Sequence, residues 1–217
     1  MQRPPRQPRR EELDEADREA HDAVIARLSS MSNSNETPAN GHVDVGQYWG
    51  AMLNSPQLCA LAAQLGTFVR TAGERGDSYS HAEREFVDQV LCADWKTNTV
   101  LPMHIPDGLA AGVRMEAIEA LRHGHEDDLN DHERLLARYI RQVVSGTVDD
   151  QTWSALEAHF GTRGILDYTA FILWLQWILR MMQALGVNEP DDAEIDQLIS
   201  DLKDGTRPIP DFRQRIR

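Results

Sequence analysis

Apolar positions recur at steps of three and four residues in one segment after another, with polar residues between them. That is the period of amphipathic helices, and no alternation of period two reaches strand length. Residues 11–28 place Leu13, Ala16, Ala20, Ala23, Val24 and Leu28 on one stripe. A second stripe runs through Leu58, Leu61, Leu65 and Val69. Its helix begins at Ser55-Pro56, a serine cap with proline in the first turn, and stops near Gly73. Ser80 opens another helix, with Glu83 three residues on in capping-box spacing, and this helix runs to about Asp94. Shorter helices are expected over 48–53, 115–121 and 153–160, the last capped by Asp149 or Asp150. One capped by Asp131 ends near Ser145-Gly146, and 191–202 forms the final helix. Pro102 and Pro106 predict an irregular stretch between 95 and 114. Residues 29–42, SSMSNSNETPANGH, predict a polar linker.

The most apolar stretch, 165–187, is broken by Asp167, Gln176, Arg180 and Gln183. Its longest uncharged run, 168–179, has 12 residues, against roughly 20 for a bilayer span. It predicts a buried central helix following Gly161. Tyr168, Trp174, Trp177, Met181 and Met182 fall at helical spacing there and fit core positions better than a ligand cavity. The expected fold class is all-α.

Charge changes this picture more than bulk composition does. A length of 217 residues with 41% hydrophobic content suits one globular domain with arms. The net charge of −13 is unevenly spread. Arg3, Arg6, Arg9 and Arg10 crowd one end, and Arg213, Arg215 and Arg217 the other. Without those seven, 15 bases face 35 acids. So acidic a body excludes general nucleic-acid binding and a polybasic membrane surface. The first ten residues, MQRPPRQPRR, hold no apolar secretory core and predict a disordered arm. Cys59 and Cys92 form no CxxC and no disulfide framework, which points to a reducing cytoplasm.

Five segments carry a family resemblance. They are LNSPQLCALAAQLGTFVR, AEREFVDQVLCADW, HIPDGLAAGV, MEAIEALRHG and LNDHERLLARYIRQVVSGTVDDQTWSALEAHFG, in this order and spacing along about 48–187. The chain resembles the carboxymuconolactone decarboxylase family, which shares the alkylhydroperoxidase D-like helical bundle. The resemblance implies a helical domain over 44–190. Outside it lie an arm (1–10), a helix with linker (11–43) and a C-terminal helix with tail (191–217).

It also implies a site. The family pairs a Glu early in one helix with a His at the end of the next, and here Glu85 and His104 stand there, 19 residues apart. The redox-active branch carries a CxxC between them, at positions occupied here by Thr97 and Val100, so the chain lacks a nucleophilic and a resolving thiol. Many other members keep a carboxylate there instead, and Val100 removes that too. What remains is acid–base chemistry of the decarboxylase type, without metal or organic cofactor. His104 would move the proton and Glu85 would orient it. Trp95 would wall the substrate site, and Thr97 or Asn98 would bond the substrate, a small cyclic or aromatic-derived acid or lactone.

The alternative is a non-catalytic, oligomeric binding or assembly protein on the same scaffold. Either way the resemblance implies a homo-oligomer, a dimer or larger. His123, His125 and His132 with Glu126, Asp127 and Asp128 have a metal site's composition but no standard spacing, so no metal is expected. No phosphate loop, HExxH or GxSxG occurs.

Overall fold

The computed structural model describes residues 3–31 and 43–211. Linker residues 32–42 and Arg213, Arg215 and Arg217 lie outside them. Among the described residues there is no strand, and the fold is all-α. Its helices are α1 (Glu15–Met31), α2 (Gly46–Met52), α3 (Pro56–Arg70), α4 (Ala72–Gly76), α5 (His81–Trp95), α6 (Leu101–Ala111), α7 (Met115–His123), α8 (Asp131–Ser145), α9 (Asp150–Leu185) and α10 (Asp192–Lys203). Short 3-10 turns occupy Arg10–Glu12 and Glu126–Asp128.

The starts follow the cap chemistry. Ser80, Asn130 and Asp191 each accept from the backbone N–H three residues on, and Glu83, Glu133 and Glu194 reciprocate. The cap of α8 is thus Asn130 rather than Asp131. The prolines of 95–114 do not make that stretch irregular. Pro102 occupies the first turn of α6, where its missing N–H has no intrahelical partner to lose, and Pro106 lies inside the helix. In α9 the backbone kinks at Gly161, whose φ of 71° and ψ of 163° suit glycine, and the apolar segment follows.

The chain forms two compact units, one holding residues up to Phe68 with Leu179–Asn188, the other Val69–Ile178 with the segment from Glu189 onward. This division does not follow the expected 44–190 boundary.

In the first unit, residues 6–9 are tied down rather than loose. The Gln7 amide donates to the Val43 carbonyl and accepts from the Val45 N–H, and Asn54 donates to the Arg6 carbonyl. Arg6 pairs with Glu12 and Arg10 with Asp22, so two of the terminal arginines meet acids of their own unit. Helix α3 also departs from its expected stripe. It buries Cys59, Ala62, Ala63 and Val69, while Leu58, Leu61, Leu65 and Phe68 are 45–64% exposed. Its buried face is thus made of small side chains, and the large apolar ones lie outside.

In the second unit, α5 packs against α6, α7 and α8, and α10 covers α6. Tyr79, Phe160 and Tyr168 form an aromatic cluster with ring centroids 5.0–5.9 Å apart. Helix α9 is long and apolar enough to cross a membrane by length and composition alone. Along it Ile165, Tyr168, Phe171, Ile172 and Leu175 are buried, while Leu166 and Leu173 are 55% and 46% exposed.

Candidate functional site

Helix α5 presents one face of unusual polarity. His81, Glu85 and Asp88 recur at steps of four and three, so their side chains stack on a single side. Glu85 and Asp88 are 1% and 0% exposed. The helix ends at Lys96, whose φ of 50° and ψ of 53° turn the chain back. The following turn leads into α6, and α6 lays His104 against Glu85.

The contact is close. His104 Nδ1 donates to Glu85 Oε2 at 2.7 Å. The other oxygen, Oε1, accepts from His81 Nε2 at 3.0 Å and Arg84 Nη2 at 3.1 Å, with Arg70 Nη2 at 3.8 Å. Arg84 is held in turn by the Arg70 carbonyl at 2.6 Å. Gln89 donates to the His104 carbonyl at 3.1 Å and ties α6 to α5. Asp88 is different in kind. Neither of its oxygens accepts a hydrogen bond, and its nearest cation is His104 Nδ1 at 3.6 Å.

These surroundings set the charges. Burial works against ionised Glu85. The charge and hydrogen bond of His104, the hydrogen bond of His81 and the charge of Arg70 outweigh it, and hold the carboxyl far below its usual range. Burial pushes Asp88 up to about 6, against the pull of His104 and with the push of Glu85. Burial would lower His104, but Asp88 and Glu85 reverse that and raise it. Glu85 thus stays a carboxylate and accepts the His104 Nδ1–H, and the two buried carboxylates together favour the protonated imidazole.

The remaining expected site residues go elsewhere. Thr97 is buried and donates to Glu189 at 2.5 Å. Asn98 donates to the Pro190 carbonyl and to Asp192, and accepts from Arg122. These bonds tie the turn to the segment before α10, to the start of α10 and, through Arg122, to α7. Trp95 is half-buried at the last position of α5. Two open cavities, of about 970 and 400 Å³, do not reach Glu85 or His104.

Sequence reasoning missed Asp88, His81, Arg84, Gln89 and Arg70. The first two were legible from helical spacing around Glu85; Arg70 comes from another helix and was not. The histidine-rich loop also resolves differently. His123 and His125 only face each other, with ring centroids 6.2 Å apart. His132 turns away from them and meets Glu83 of α5 and His159 of α9. No family model, curated protein or solved structure matches the chain.

Proposed function

We propose that the protein is a cofactor-independent enzyme of the lyase or isomerase type, decarboxylase-like. It acts on a small cyclic or aromatic-derived acid or lactone through acid–base chemistry at His104. One observation carries this reading: the 2.7 Å bond from His104 Nδ1 to the buried Glu85 carboxylate. A carboxylate fixed behind an imidazole sets its tautomer and stabilises the imidazolium formed when Nε2 takes a proton. Glu85 is the positioning residue and His104 the proton carrier. The resemblance over 48–187 supports the reaction class, and Thr97 and Val100 in place of a CxxC argue against thiol peroxidase chemistry. The buried free thiols of Cys59 and Cys92 suit a reducing compartment.

The test is turnover of a panel of lactones and cyclic or aromatic acids by wild type and His104→Gln, with helicity checked by circular dichroism. A hundredfold or greater loss in the variant is expected, in the range for removing a general acid–base group. Equal turnover removes His104 from the mechanism.

A second reading, assembly on a non-catalytic scaffold, is favoured by the outer face of α3. Leu58, Leu61, Leu65 and Phe68 follow the three–four–three spacing of a coiled-coil seam, and no exposed residue of α3 carries a charge. Two copies of a chain with charge −13 repel each other except across such a neutral face. A symmetric pairing through α3 makes a homo-dimer, compatible with either reading. Light scattering of wild type and Leu61→Glu checks it: a dimer that becomes a monomer is expected. A wild-type monomer at micromolar concentration refutes the pairing.

A further inference from the structure

A second cluster lies on the other side of α5. Glu83 is the reciprocal member of the α5 capping box, and its Oε2 accepts from the Ser80 N–H at 2.5 Å. Its own carbonyl accepts from the Tyr168 hydroxyl at 2.9 Å. Backbone and carboxylate are therefore both anchored, and Oε1 is left for partners from other helices. Two imidazoles from two other helices converge on that one oxygen. His132 Nε2, from the first turn of α8, lies 2.7 Å away. His159 Nε2, from α9 before its kink, lies 3.5 Å away. The two rings are 4.8 Å apart between centroids. The three donor atoms lie within 4.8 Å of one another.

We infer that Glu83, His132 and His159 form a binding site for a divalent transition-metal ion, Zn²⁺ in particular, that clamps α5, α8 and α9 together. Two imidazole nitrogens and one carboxylate oxygen are a ligand set suited to zinc. Donors about 2.0–2.2 Å from a tetrahedral ion stand about 3.4 Å from each other. The His159–Glu83 separation already matches, and the His132–Glu83 pair has to open by less than about 1 Å. As a hydrogen-bonded group the arrangement is incomplete, because only the nearer imidazole reaches bonding distance of Oε1. An ion at the centre of the three donors satisfies all of them at once. The histidine side chains are 39% and 56% exposed, so solvent can enter and supply a fourth ligand. This site is independent of the Glu85–His104 pair.

Isothermal titration of the chelator-treated full-length protein with ZnCl₂ tests the inference. One equivalent bound with a Kd in the micromolar range is expected. His132→Ala and His159→Ala should each weaken it tenfold or more. Glu83→Gln should weaken it too while preserving the cap, because glutamine serves in a capping box. Zinc at a hundredfold excess over Kd should raise Tm by about 5 °C or more in wild type and in none of the three variants. His123→Ala should bind as wild type does. Absence of binding up to 100 μM zinc overturns the inference. So does binding that survives the substitutions at 132 and 159, and binding lost instead in His104→Ala assigns the ion to the buried cluster.

Discussion

Replacing Asp88 by asparagine should make the protein more stable near pH 8, although Asp88 is buried beside a histidine. Its carboxylate is fully buried, without a hydrogen bond, and 3.6 Å from its nearest cation. Burial moves its pKa to about 6, roughly two units above the ordinary aspartate value. Two units correspond to about 3 kcal/mol against the ionised form once the pH is above both values. Asparagine keeps the shape and deletes this penalty. It also removes a charge that favours protonated His104 and introduces an amide, which costs about 1–3 kcal/mol if it finds no partner. The net expectation is a gain of about 1 kcal/mol near pH 8.

The sign with pH follows from proton uptake. A carboxyl whose folded pKa lies above its unfolded one makes the fold hold an extra proton between the two. Its contribution therefore falls as pH rises from about 4 to about 6, and is constant beyond. The advantage of the variant should shrink as the pH falls through that window and vanish or reverse near pH 4. Urea unfolding followed by circular dichroism across that range measures it, and the difference between the two stability curves isolates this one group. A variant less stable than wild type by more than about 1 kcal/mol at pH 8 would refute the reasoning, because Asp88 would then be a needed counter-ion of His104.

Glu85, one turn earlier, should respond in the opposite direction. Glu85→Gln removes the charge that His104, His81 and Arg84 bond, and should cost about 3 kcal/mol at pH 7. Its folded pKa is depressed, so this contribution is present above the unfolded value and is lost as pH falls. The deficit should therefore narrow below about pH 4.5, and a pH-independent deficit in urea unfolding would count against it. Gly73→Ala should destabilise by about 2 kcal/mol or more, because a Cβ there collides with the Tyr79 carbonyl and ring, and an unchanged Tm would contradict this. Burial pushes the Cys59 thiol up to about 11 and Cys92 well above its usual value. Neither should react with an aromatic disulfide reagent near pH 8 until urea unfolds the chain, and native labelling at a free-thiol rate would be inconsistent with that burial.

The helices were legible because their signals are local. Ser80 with Glu83 and Asp191 with Glu194 are capping boxes written within four residues, and the apolar period set the class as all-α. The pairing of Glu85 with His104 was legible through resemblance, and Asp88 could have been added from helical spacing alone. Other features depend on which chain segments meet. A proline stretch that reads as irregular becomes α6 because Pro102 falls in its first turn, where no N–H is required. Leu58, Leu61 and Leu65 read as core, yet the small face of Cys59, Ala62 and Ala63 is the one buried. Thr97 and Asn98 look free to bond a substrate until Glu189 and Asp192 arrive from more than 90 residues away. Glu83, His132 and His159 share no motif in sequence and are gathered only by three helices packing together. The sequence by itself determined what each segment forms, since caps and periodicity act within a turn or two. Only the tertiary structure decided which side chains become neighbours, because burial and charge pairing arise between residues the chain keeps far apart.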